Sequence, residues 1–227
     1  MKMSVLEIKN LVKNYSTKSF TTNVLKDLSF SIEKGDFLVI TGPSGSGKTT
    51  LLNCISGLEK ITSGQILFEG EDLASISNEK MSELRKKNIG FVFQAYNLLP
   101  NLTLYENVAL ASIIAGAENS ERINELLTHF NLIDYKGYFP NQVSGGMQQR
   151  CAIVRSLIND PEIIFADEPT GNLDSRSGEE VMKTFKFLHE QYGKTIVMVT
   201  HSLDHLKYAN RHIQIIDGQI INDERLS

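Results

Sequence analysis

The chain has no tryptophan, and only two cysteines and five prolines among its 227 residues. Two cysteines do not make the disulfide framework of a small secreted domain, and they form no paired ligand pattern. Cys54 and Cys151 both fall at inward positions of predicted helices, so they read as small core hydrophobes of a reduced compartment rather than as a disulfide or metal site. Long hydrophobic runs are also missing. No stretch approaches eighteen uninterrupted apolar residues, and the opening from Met1 to Glu7 carries no apolar signal core. The expectation is a soluble chain of the cytosol. Positive charge is not in excess, with Lys+Arg 23 against Asp+Glu 27. No broad phosphate-binding face of nucleic-acid type is implied, and no nucleic-acid partner is expected. Internal repeats and low-complexity linkers are absent as well.

What is present is organised around Gly42-Pro43-Ser44-Gly45-Ser46-Gly47-Lys48-Thr49, which fits the phosphate-loop pattern GxxxxGK[ST]. The apolar, β-branched run Phe37 to Thr41 before it reads as a buried strand, and Thr50 to Ser56 after it reads as a helix stopped by Gly57. Glycines let successive backbone N–H groups curl into an anion-binding nest, and the helix N-terminus adds its partial positive charge. In that setting Lys48 would reach the β- and γ-phosphates, the Thr49 hydroxyl would ligate Mg²⁺, and Thr50 would add a hydroxyl near the α-phosphate. A chance glycine-rich turn is the ordinary alternative, and the strand-loop-helix context argues against it.

In chain order, residues 4–9 and 24–33 alternate as strands, an antiparallel edge feeding a parallel core. Between them lie Val12 to Tyr15 and then Phe20; Tyr15 is a candidate for stacking on an adenine, or an ordinary rim aromatic. Gln65 to Phe68 reads as a strand, Ser77 to Leu84 as a capped helix start and Ile89 to Phe93 as a short strand. That strand ends in Gln94, an amide that could ligate Mg²⁺, position a water or simply end the strand. From about 101 to 159 the pattern is helical, opened by the capping box Thr103 to Glu106. Ser144-Gly145-Gly146 at the start of a second long helix is another anion-ready N-terminus, either an unused cap or a site completed by another copy of the chain. The strand Ile163 to Ala166 runs into Asp167 and Glu168. At a strand's carboxyl end these fit a Mg²⁺ acceptor and a base acting on the attacking water. The strand 195–200 ends at His201, which is placed to contact the γ-phosphate. Ile215 to Ile221 reads as a hairpin with an Asp-Gly turn that closes the domain and carries no chemistry.

In order and spacing these motifs resemble the nucleotide-binding subunit of ATP-binding-cassette transporters over essentially the full length. Walker A corresponds to 42–49, the Q-loop to Gln94, the signature to 143–147, Walker B to 163–167 with catalytic Glu168, the D-loop to Asp174 and the switch to His201. Residues 89–108 and 167–174 look like the macrolide-exporter, lipoprotein-releasing and antimicrobial-peptide-resistance branch. The resemblance implies an α/β phosphate-loop NTPase with a mostly parallel core sheet, an N-terminal antiparallel β subdomain and an inserted helical subdomain. A single domain would span 1–227, with the core over about 1–94 and 160–227 and the helical part over about 95–159.

It also implies ATP and Mg²⁺ as ligands and Lys48, Gln94, Glu168 and His201 as the catalytic set. Thr49, Gln94 and Asp167 would serve the metal; Tyr15, residues 42–50 and Asp174 would serve the nucleotide. Ser144, Gly145 and Gly146 of a second copy would close over the γ-phosphate in a head-to-tail dimer. The implied partner is a membrane permease that holds the chain at the inner face of the membrane. Three positions depart from the pattern: Val143 for Leu, Met147 for Gln, which removes an amide facing the opposite nucleotide, and Ser202 after the switch His where Asp is common. The loop Leu98 to Tyr105 either docks the partner's cytoplasmic helix or packs inside the helical part. A soluble cassette that remodels nucleic acid or ribosomes is the alternative from another class, and a regulator without turnover is a third.

Overall fold

Strand β3 (Phe37–Thr41) is buried along its whole length, because it lies inside a sheet covered on both faces. The computed structural model describes residues 4–17, 20–116 and 118–226; the first three residues of the Met1 to Glu7 opening lie outside them. Around β3 runs a six-stranded sheet in the order β10 (Gln219–Arg225), β9 (Arg211–Ile216), β3, β8 (Thr195–Val199), β7 (Ile163–Asp167), β6 (Ile89–Phe93). All neighbours are parallel except the edge pair β9–β10. A second sheet, entirely antiparallel, has the order β2 (Thr21–Glu33), β1 (Ser4–Ser16), β4 (Ser63–Phe68), β5 (Glu71–Asp72).

The period-two rule explains the double covering. Leu38, Ile40, Ile163, Phe165, Val197 and Val199 pack into one core with β1, β2 and helix α1 (Lys48–Ile55). Their alternating neighbours Phe37, Val39, Ile164, Ala166, Ile196 and Met198 pack into a second core with the helices. Those helices are α3 (Leu104–Ala115), α4 (Ser120–His129), α5 (Gly145–Leu157) and α6 (Ser175–Tyr192). Helix α2 (Asn78–Asn88) begins at Ser77, whose hydroxyl accepts from Lys80 N–H, and the Thr103–Glu106 capping box opens α3. Cys54 and Cys151 are both buried and free, and burial pushes each thiol up to about 12.

Two expectations are corrected. Val12 to Tyr15 are not between strands but inside β1, which reaches Ser16; register shifts around Leu11 and Lys13 break the alternation that marks a strand. The segment 130–144 is not continuous helix but two short 3-10 turns joined by irregular backbone. The leucines of 98–105 divide between core and surface. Leu104 is fully buried, Leu98 lies against the second core and Leu99 is exposed. Buried Asn107 holds that loop from within, donating to the Leu99, Leu102 and Thr103 carbonyls and accepting from Leu99 N–H.

Candidate active site

Sheet register assembles the site. Phe93 pairs with Asp167 and Asp167 with Val199, so β6, β7 and β8 end level and the residues just beyond them, Gln94, Glu168 and His201, share one rim. The phosphate loop leaves the end of β3 on the same rim. Together they form a cleft of about 380 Å³ lined by Val24, Ser44, Gly45, Gly47, Lys48, Thr49, Thr50, Gln94, Glu168 and His201.

The loop is shaped by close approach. A Cβ on Gly42 would lie 2.0 Å from the Ile215 carbonyl oxygen and 2.8 Å from Ser46 Oγ, so only glycine lets the chain pass β9. The hairpin that follows at the same end of β9 has its turn at Asp217 and Gly218, both with positive φ, and Gly218 N–H donates to Ser46 O at 3.1 Å. That hairpin, expected only to close the domain, braces the phosphate loop. Lys48 donates to the Gly42 and Pro43 carbonyls at 2.8 and 2.9 Å, which holds its ammonium over the loop.

Thr49 Oγ1 donates to Asp167 Oδ1 at 3.1 Å. Burial, reinforced by the neighbouring Glu168 charge, raises the Asp167 carboxyl above its ordinary range, against the pull of Thr49 and Lys48. Glu168 takes a left-handed backbone, φ 45°, secured by its N–H on Val199 O at 3.0 Å. Its Oε2 lies 3.0 Å from His201 Nδ1, with the carboxylate as acceptor. Gln94 Nε2 donates to Asn172 Oδ1 at 3.1 Å, and Asn172 Nδ2 returns to Gln94 O at 3.0 Å, leaving the Gln94 side-chain oxygen uncommitted by that pair. Tyr15 is 41% exposed beside the loop's helix; its phenol interacts with Glu59 and Thr50, and the Lys13 ammonium sits 4.8 Å from its ring centre.

A raised carboxyl pKa has a stability consequence. The folded state holds the Asp167 proton more tightly than the unfolded chain, so this group's contribution falls as pH rises from the unfolded pKa through the folded one. Asp167→Asn is therefore expected to raise the nucleotide-free Tm at pH 7.5. The gain should shrink as pH falls through the raised folded pKa toward the ordinary carboxylate range. Thermal scans of both proteins across pH check this; an equal or lower Tm at pH 7.5 would contradict it.

The remaining candidates sit elsewhere in the chain. Ser144 caps α5, accepting from Met147 N–H at 3.3 Å, and Asp174 caps α6, accepting from Ser177 N–H at 3.0 Å. A Cβ on Gly145 would meet Tyr96 Oη at 2.8 Å and Leu173, and one on Gly146 would meet Ser177, so these two helix starts lie side by side. None of Ser144, Gly145, Gly146 and Asp174 lines the phosphate cleft of their own chain. Sequence reasoning missed Asn172, whose amide orients Gln94, and Gln149, a fully buried amide in α5. The signal for Gln149 was its spacing to Ala152 and Ile153, three and four residues on along the same buried face.

The ABC transporter family model matches residues 25–171, more than half of the chain. The chain belongs to this family. It is an ABC ATPase cassette, and its relatives agree. A macrolide export ATP-binding/permease protein, MacB, from Aggregatibacter actinomycetemcomitans is 49% identical over 224 residues, 97% of this chain and 35% of that protein. An uncharacterized ABC transporter ATP-binding protein from Thermotoga maritima is 45% identical over 97% of this chain and 95% of that one. The chain thus spans about a third of the MacB-type relatives and nearly all of the Thermotoga one. Among solved structures, the ATP-binding cassette MJ0796, in a dimeric post-hydrolysis state bound to ADP and Pi, superposes with a TM-score of 0.89 at 40% identity, covering 98% of this chain and 99% of that one. A second dimeric structure of the same cassette gives 0.90. Both share the two-sheet α/β architecture expected above. Among the described residues no helix is long and apolar enough to cross a membrane.

Proposed function

We propose that this cassette binds Mg²⁺ and ATP in the cleft, dimerises around the nucleotide and passes the resulting motion to a membrane permease. The observation that carries the reading is the division of the motifs. Lys48, Thr49, Gln94, Asp167, Glu168 and His201 converge in one chain, while the Ser144–Gly146 helix start lies outside their cleft. A two-fold pairing would bring that helix start onto the other copy's nucleotide and make two equivalent sites. The MJ0796 cassette is dimeric, which supports this arrangement.

The donor set suits a hard cation. Thr49 and Asp167 offer adjacent oxygens, and among the described residues no three His, Cys, Asp or Glu converge into an all-protein metal cage. That suits Mg²⁺, which keeps waters and substrate phosphates among its ligands. Thr49, Asp167 and the Gln94 oxygen would hold the ion, which neutralises charge on the phosphates when bound. The phosphate loop's backbone N–H groups and Lys48 bind the β- and γ-phosphates. Glu168 orients and deprotonates the attacking water, and His201, 3.0 Å away, fixes the carboxylate and faces the γ-phosphate. Tyr15 stacks on the adenine. The helical stretch of about 95–159, within a single cassette of 1–227, is the part that moves against the core.

The relatives support the partner and setting proposed here: the MacB proteins are named as ATP-binding/permease proteins. The present cassette would serve a permease of that branch at the inner face of the membrane. The formal charge of −4 and the relatives' names give no support to a cassette acting on nucleic acid. The purified chain is expected to release phosphate from ATP with Mg²⁺ and to stop in EDTA. Detergent extracts of its native host should yield it with an integral membrane protein. Release that is indifferent to EDTA, or recovery without any membrane protein, would overturn the respective half of this reading.

A further inference from the structure

We propose that Gln149 is a positioning residue that passes the engagement of the Ser144–Gly146 helix start to Gln94 and Glu168. The side chain lies five residues beyond the Ser144 cap and is 0% exposed. Its Nε2 donates to two carbonyls on different elements, Phe93 O at 3.2 Å and Pro169 O at 2.5 Å. Phe93 is the residue before Gln94, and Pro169 is the residue after Glu168. One amide therefore ties α5 to both strand ends that supply groups on the water side of the cleft.

A second tie lies further along the same helix. The Arg155 guanidinium donates to Tyr96 O at 2.8 Å and to Asn97 O, gripping the far side of the Gln94 loop where both residues have positive φ. Helix α5 thus holds Gln94 from before and behind. Only the Gln149 tie also reaches the glutamate.

The choice of an amide here has a price in stability. Gln149 Oε1 is buried with no partner, and an orphaned buried acceptor is unfavourable. An apolar side chain would fill this face more easily, as Ala152 and Ile153 do on the same side of the helix. What the amide adds is a pair of directed donors. A shift of the α5 start against a second copy's nucleotide would pull on Phe93 and Pro169 through them, without involving the phosphate loop.

This rests on the reading that Ser144–Gly146 meets the nucleotide of another copy, and the test separates the two. Gln149→Met and Gln149→Glu are made in the full chain, with kcat and KM for ATP measured separately, and ATP-driven dimerisation is followed in a Glu168→Gln background. The Met variant should lower kcat on the order of tenfold with KM within about twofold, and still dimerise. The Glu variant keeps the shape but sets a carboxylate against two carbonyl oxygens. Its kcat relative to wild type should be lowest near pH 8 and recover toward pH 6, as protonation restores one donor. A Met variant with kcat within about twofold of wild type overturns the proposal. So does a Glu variant whose ratio to wild type is flat across pH, which decides the matter if the Met variant does not fold. Failure of the Glu168→Gln parent itself to dimerise with ATP would instead remove the underlying dimer reading.

Discussion

Glu168→Gln is expected to lower steady-state phosphate release by roughly 10²–10⁴-fold, the usual contribution of a positioned general base, while ATP binding persists. Glutamine keeps the shape of the side chain and can still meet His201, 3.0 Å from the present carboxylate, but cannot take a proton from water at neutral pH. Nothing in the phosphate loop changes, so Lys48 and the backbone nest keep their hold. With binding intact and hydrolysis stopped, the ATP-bound dimer should accumulate, visible by light scattering after gel filtration with Mg²⁺ and ATP. Normal release would remove Glu168 from its assigned role, and a variant that stayed monomeric would count against the dimer.

Gly42→Ala is expected to weaken nucleotide binding at least a hundredfold, roughly 3 kcal/mol, and to lower the Tm by several degrees. The added methyl would sit 2.0 Å from Ile215 O, a backbone atom of β9 that cannot rotate away as a side chain could. Relief requires moving the loop or the strand, and overpacking of this kind costs about 1–3 kcal/mol, or about 2–12 °C for a chain of this size. Gly45→Ala is the control: its Cβ would meet nothing within 4 Å, so only its positive φ of 79° resists substitution. Fluorescent-nucleotide titration and thermal scans of the two variants separate steric exclusion from backbone preference. Equal effects would show that closeness to β9 is not what makes Gly42 necessary.

Much of the rim was legible because the chemistry lies on short motifs at strand ends. Four apolar residues followed by Asp167 and Glu168 can be read without coordinates, since a buried parallel strand must be apolar and its carboxyl end faces the ligand crevice. Val12 to Tyr15 resisted the same treatment. Register shifts there place successive side chains out of simple alternation, so a strand that reaches Ser16 looked like a loop after residue 9. Residues 130–144 failed for a related reason: their Leu, Tyr and Phe fit a helical pattern, but the backbone is held by 3-10 turns and by contacts of Lys136 O and Tyr138 O with the start of α3.

Sequence alone determined the phosphate loop, the two acids at the end of β7, the polar residues ending β6 and β8, and through them the family, because each depends on residue types at fixed short spacing. Tertiary structure alone decided which of these meet. It put Gln94, Glu168 and His201 on one rim through strand register, set Asn172 and Gln149 behind them, and kept Ser144 to Gly146 away from their own chain's cleft. Those placements depend on hydrogen bonds between segments as many as 78 residues apart, and no local pattern encodes a partner at that distance.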